Sequence, residues 1–152
     1  MNPPSVLIVG CGSIGERHLR CFQQTGRCAV AACEPLPSRR QRIAEAYGVP
    51  TFADLTAGLR AGDGHAAVIC TPAPLHVPFA IEALKAGRHV LIEKPLSHSL
   101  AGLEDLFAAR QRSGLQVAVA YVYHVYPFLN AARNFLARGE FGPVRHATAA
   151  SG

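Results

Sequence analysis

Val6-Leu7-Ile8-Val9-Gly10-Cys11-Gly12-Ser13-Ile14-Gly15 is the stretch whose reading decides the fold. An apolar run of β type enters a glycine turn, and the turn opens into a helix. The spacing is Gly10-x-Gly12-x-x-Gly15. The first glycine permits the tight turn, the second lets backbone approach a pyrophosphate, and the third lets helix and strand pack closely. The helix start offers unpaired N–H groups and a partial positive charge to phosphate. Gly10, Cys11, Gly12, Ser13, Ile14 and Gly15 are therefore the candidate seat of a dinucleotide. Glu34 follows 19 residues after Gly15, at the end of the next apolar run. An acid near that spacing bonds the adenosine ribose hydroxyls and repels a 2′-phosphate. The cofactor expected is NAD or NADP, with NAD favoured. Arg39 and Arg40 lie close by, and an arginine can accept that phosphate.

The bulk properties suit one α/β domain plus a little more. The chain has 152 residues, 49% of them hydrophobic, enough to bury a core without disulfides. Its five cysteines, Cys11, Cys21, Cys28, Cys33 and Cys70, form no C-x-x-C pair. They read as reduced, intracellular thiols serving as small core residues, which points to a cytoplasmic location. The seven histidines are scattered without metal-ligand spacing, so no metal is expected. Apolar stretches are strand-sized, which argues against a membrane span. The net charge is +5, but the only dense basic patch, Arg39, Arg40 and Arg42, falls on a predicted surface helix. Nucleic acid is not an expected partner.

Taken in order, the chain alternates strands and helices. The first helix is expected from about residue 13 to 25, with Ile14, His18, Cys21 and Phe22 inward. Cys28–Cys33 is the second strand. Ser38 and Gln41 look like a capping box opening the next helix, which Gly48 closes. Residues 49–52 read as a short strand, 54–60 as a short helix and 66–70 as a buried strand. Thr71-Pro72-Ala73-Pro74-Leu75-His76 turns the chain at that strand's carboxyl end, where open α/β sheets bind ligands. Thr71 and Pro72 are placed beside the cofactor. His76 is either a cap of the following helix or a cofactor-side residue. That helix has Val77, Ala80, Ile81 and Leu84 inward, and Gly87 ends it. His89–Ile92 then runs into Glu93-Lys94-Pro95. A helix to about residue 112, with Leu100, Leu103 and Phe107 on one face, and a sixth strand at 115–120 complete the pattern. The alternation predicts a Rossmann-type, doubly wound parallel sheet.

The glycine turn, Thr71-Pro72…His76, Ala86-Gly87-Arg88-His89-Val90 and Glu93-Lys94-Pro95 stand in the order and spacing of a known family. The chain resembles the Gfo/Idh/MocA oxidoreductases, which include glucose-fructose oxidoreductase and inositol dehydrogenase. The resemblance covers essentially the whole chain, and the Glu-Lys-Pro tripeptide is its most specific part. It implies an NAD(P)-dependent enzyme acting on a sugar- or polyol-like alcohol. It gives Lys94 a catalytic and cofactor-side role, with Glu93 helping to position it. The physics of Lys94 agrees: a compact cation at the end of a parallel strand can bond a substrate hydroxyl and favour alkoxide character.

Beyond residue 120 the organisation changes. Tyr121 to Pro127 concentrates three of the chain's four tyrosines. The family carries an arginine three residues before the proline, and this chain has His124 there. A helix through Phe128, Ala131, Ala132, Phe135 and Leu136 is expected to end at Gly139. A turn at 140–143 and a last strand at 144–150 follow. The expected division is 1–122 for the dinucleotide-binding domain. Residues 123–152 would be only the first segment of a second α+β domain. In the family that second domain supplies an Asp-x-x-x-His motif whose histidine accepts the substrate's proton. His124 and His146 are candidate bases here without a matching acid. The chain is therefore expected to bind cofactor without efficient turnover, with pairing of two copies through the last strand as a possible homo-oligomer contact. The alternative is a nucleotide-binding sensor or interaction module without catalysis.

Overall fold

The apolar run before the glycine turn is strand β1 (Ser5–Val9) in the computed structural model, which describes residues 3–61, 64–140 and 142–148. Helix α1 (Ser13–Gln24) follows it. Then come β2 (Ala29–Cys33), α2 (Pro37–Tyr47), β3 (Thr51–Phe52) and α3 (Leu55–Arg60). The second half contains β4 (Ala66–Ile69), α4 (His76–Lys85), β5 (His89–Ile92), α5 (Leu103–Ser113) and β6 (Val117–Val119). All neighbouring strands are parallel, in the order β3-β2-β1-β4-β5-β6. The chain winds one way from β1 and then the other, so β1 and β4 flank the switch point of a Rossmann sheet.

Both faces of the sheet are covered, which is why its strands read as nearly unbroken apolar runs. Successive residues of β1 point to opposite faces. Leu7 and Val9 join Ile69, Ile92, Leu84 and Leu106 in one layer. Val6 and Ile8 join Val30, Val68, Leu19 and Ile43 in the other. On the second face, Glu16 ties α1 to α2. Both carboxylate oxygens accept from Arg42, at 2.9 and 2.7 Å, and Oε1 also accepts from the Tyr47 hydroxyl at 2.8 Å.

Several local expectations are corrected. On α1 the buried residues are Gly15 and Leu19, while Ile14 and Cys21 are exposed. Gly15 must face the sheet, Leu19 lies four residues on, and Ile14 and Cys21, seven apart, are turned away together. Cys21 is thus not a core residue, although Cys11, Cys33 and Cys70 are. Ser38 does not cap α2. Pro37 occupies the first helical position, where its fixed φ suits the helix and no N–H is lost, and Gln41 bonds Glu45 instead. Helix α5 begins only at Leu103, after Gly102 at φ +77°. It turns Leu106 and Ala109 inward, leaving Leu100 85% and Phe107 55% exposed.

The chain divides into two units, residues 1–120 and 121–152. The second contains a 3-10 turn (Val122–Val125) and helix α6 (Pro127–Ala137), with Gly139 at φ +71° after it. The Tyr126 and Phe128 rings meet edge to face, their centroids 5.5 Å apart. Residues 144–148 form no strand, a further correction of expectation. Among the described residues no strand pairs with them to take up their N–H and C=O groups. Phe141 of the expected turn, and Ala149 and Ala150 of the expected strand, lie outside the described residues.

Candidate functional site

The glycine turn is shaped by what cannot fit there. Gly10 has φ +87°, and a Cβ on it would stand 3.1 Å from the Cys70 backbone. A Cβ on Gly15 would stand 1.8 Å from the Gly10 carbonyl oxygen. These two glycines let α1 start hard against the ends of β1 and β4. Gly12 is different, since a Cβ on it would meet nothing within 4 Å. Its side of the turn is open. The first N–H groups of α1 have no acceptor within the helix, so an open, partly positive face lies at the turn.

Glu34 follows β2 and is 3% exposed. Its carboxylate accepts from the N–H of Cys11 at 2.9 Å and of Leu36 at 3.0 Å. Arg39 lies 3.4 Å from the same oxygen that Cys11 bonds. Burial by itself would raise this carboxyl, but the two N–H groups and Arg39 outweigh it and hold it below the usual carboxylate range. The guanidinium of Arg40 is engaged by the carbonyls of Glu34 and Pro35, at 2.8 and 3.1 Å. Glu34 thus holds the turn in place as well as facing the cleft.

A cleft of about 480 Å³ opens over the carboxyl ends of β1, β2 and β4. Gly10, Gly12, Glu34, Arg39, Thr71 and Pro72 are among its lining residues. Asp54, which sequence reasoning did not place here, also lines it and caps α3 by accepting from Ala57 N at 2.7 Å. The Thr71 hydroxyl is buried and has no hydrogen-bond partner among the described residues. An unpartnered buried hydroxyl, an open glycine face and a strand-end acid on one cleft fit a nicotinamide dinucleotide.

The remaining candidates fall elsewhere. Ser13 and Ile14 are exposed at the start of α1 and do not line the cleft. The Cys11 side chain is fully buried, and desolvation pushes its thiol up to about 11. Only its N–H takes part, through Glu34. Glu93 and Lys94 follow β5, one strand beyond Thr71, and do not line the cleft. Glu93 is 7% exposed. It does not touch the Lys94 ammonium. One oxygen accepts from the Lys94 backbone N–H at 3.0 Å, and the other lies 2.7 Å from His18 Nε2. Lys94 is exposed, and its ammonium has no partner among the described residues. His76 is buried, with both ring nitrogens taken by protein carbonyls. In the second unit the His124 ring lies 6.2 Å from that of Tyr121, and His146 bonds the Thr148 hydroxyl at 3.0 Å. Sequence reasoning missed the link from His18 to Glu93. The one local signal was a histidine one helical turn after Gly15.

The family model for Gfo/Idh/MocA proteins, an oxidoreductase family with an NAD-binding Rossmann fold, matches residues 5–121. The chain belongs to this family. Among curated proteins it is similar to a 4-carboxy-2-hydroxymuconate-6-semialdehyde dehydrogenase of Sphingobium sp. The two are 29% identical over 137 residues, which is 89% of this chain and 44% of that protein. It is also similar to a dTDP-3,4-didehydro-2,6-dideoxy-alpha-D-glucose 3-reductase of Actinomadura kijaniata, 31% identical over 95% of this chain and 44% of that one. Among solved structures it superimposes on the WlbA dehydrogenase from Bordetella pertussis in complex with NADH and UDP-GlcNAcA. The TM-score is 0.84 at 30% identity, covering 93% of this chain and 44% of that one. The 3-ketoreductase KijD10 from Actinomadura kijaniata, in complex with NADP and TDP-benzene, matches with a TM-score of 0.83 at 30% identity, covering 91% and 43%. The chain therefore spans less than half the length of these relatives. Both forms of the nicotinamide dinucleotide occur among them.

Proposed function

We propose that the chain is the cofactor-binding part of an oxidoreductase that moves a hydride between NAD(P) and a sugar- or polyol-like substrate. The observation that carries this is the cleft. An open glycine face, a buried acid and an unpartnered threonine hydroxyl share it at the switch point of the sheet. Bound NAD(P) supplies the hydride acceptor or donor. The first turn of α1 holds the diphosphate, and Gly12 leaves room for it. Glu34 takes the ribose hydroxyls and disfavours a 2′-phosphate, so NAD is the preferred form. Arg39 is already paired with that acid, which weakens its claim on a phosphate. Lys94 offers its ammonium to the substrate oxygen and stabilises charge there as the C–H bond breaks. The relatives named for dTDP-sugar reduction, and the WlbA complex with UDP-GlcNAcA, support a sugar-like substrate.

By itself this chain is proposed to bind the dinucleotide without efficient turnover, because the two histidines tied to the segment around Lys94 are already engaged and neither is left to take the substrate's proton. His18 is committed to Glu93, and His76 to two carbonyls. Titration with NAD, NADH and NADP, followed by fluorescence and calorimetry, should show saturable binding, tighter for the NAD forms. Inositols and sugars mixed with cofactor should then give no turnover at an ordinary enzymatic rate. Failure of both nucleotides to bind at millimolar concentration refutes the reading. Self-association through residues 144–150 needs that segment to become a strand on pairing, and concentration-dependent sedimentation tests it.

A further inference from the structure

The segment Glu93-Lys94-Pro95 is fastened at both ends by histidines. His18 reaches from α1, with Nε2 2.7 Å from Glu93 Oε1. The other Glu93 oxygen takes the Lys94 N–H. His76, the first residue of α4 and 1% exposed, bridges two loops. Its Nδ1 lies 2.8 Å from the Pro95 carbonyl oxygen, and its Nε2 lies 2.7 Å from that of Thr71. Thr71 lines the dinucleotide cleft, and α1 begins at the glycine turn. The backbone before Lys94 is therefore tied to the phosphate helix, and the backbone after it to the cleft loop.

We propose that His18 and His76 are positioning residues that hold Lys94 in register with the cofactor cleft while leaving its ammonium free for a substrate oxygen. The value of that register rests on the function proposed above, but the two ties do not. A histidine that merely filled space would not need two carbonyl partners on separate loops. Nor would it transmit cofactor binding to Lys94.

Nuclear magnetic resonance of the whole chain tests this in three steps. Without cofactor, a His76 ring N–H should exchange slowly with water. A ring N–H exchanging as fast as that of an exposed histidine overturns the bridge, and this measurement needs no variant. Next, His18→Gln keeps a donor for Glu93 and should preserve the slow exchange of the Lys94 amide. His18→Leu should speed that exchange at least tenfold. Equal exchange in both variants overturns the tie through Glu93. Last, saturating NADH should shift the Lys94 amide in the unaltered chain. His76→Gln, which cannot span both carbonyls, should lose that shift at saturation. Retention of the shift overturns the coupling through His76. If NADH saturates no form of the chain, the proposed function fails, and the first two steps still decide whether the histidines tie the segment.

Discussion

Gly12 and Gly15, two and five residues after Gly10, should respond oppositely to the same substitution. In Gly15→Ala the new Cβ would stand 1.8 Å from the Gly10 carbonyl oxygen and 2.9 Å from its carbon. Real Cβ contacts essentially never fall below 3.0 Å, so backbone must retreat by about 1 Å or more. No side-chain rotation relieves a clash with a carbonyl. Overpacking of this kind costs about 1–3 kcal/mol, sometimes more, and alanine's helix propensity returns about 1 kcal/mol. We expect a net loss of about 2 kcal/mol, seen as a melting temperature lower by roughly 4–8 °C for a chain of this size. In Gly12→Ala the Cβ meets nothing, and the backbone at φ −66° accepts any residue. Alanine is a poorer N-cap than glycine, at a cost of about 1 kcal/mol or less, so melting should move by about 3 °C or less. The same Cβ enters the space assigned to the diphosphate. NADH should bind at least tenfold more weakly, about 1.4 kcal/mol. Thermal melts and NADH fluorescence titrations of the two variants suffice. Unaltered NADH affinity in Gly12→Ala would refute the seat, and unaltered melting in Gly15→Ala would refute the close approach.

Other outcomes follow from the same structure. Glu34→Gln leaves one of two N–H groups facing an amide rather than an oxygen, and should cost about 1–3 kcal/mol in urea unfolding. Stability should also fall in acid. Arg42 and then Tyr47 hold the Glu16 carboxyl down at about 2 from an ordinary 4.5. A carboxyl lowered by folding stabilises above its unfolded value, and that contribution fades as pH drops through the folded one. Melting should therefore decline between about pH 4.5 and 2, and less so in Glu16→Gln; equal decline in both would count against the pairing. Leu106→Ala should cost about 2–5 kcal/mol, whereas Phe107→Ala should stay within about 1 kcal/mol because that ring is largely in water. Arg39→Ala should change NADP and NAD binding by similar factors, because Arg39 is already paired with Glu34, measured by parallel titrations; a loss of roughly tenfold for NADP alone would show that Arg39 takes the 2′-phosphate.

What the order of residues determined by itself was everything set by local chemistry. The Gly10-x-Gly12-x-x-Gly15 spacing, strands that are apolar on both faces, and glycines at Gly48, Gly87 and Gly114 placed the turns and the parallel sheet, because each depends on a few neighbouring residues. Membership of the family was legible for the same reason, since Glu93-Lys94-Pro95 is contiguous. Helix phase was less legible. Ile14 and Phe107 are as apolar as Leu19 and Leu106, and only docking against the sheet and α4 decides which side is inward. The hydrogen-bond partners of the candidate acids were not legible. Glu34 meets Cys11 across 23 residues, and His18 meets Glu93 across 75. Such pairs form only when parallel strands bring their carboxyl ends to one edge. Tertiary structure alone turned Glu93 away from the Lys94 ammonium and gave both nitrogens of His76 to the backbone.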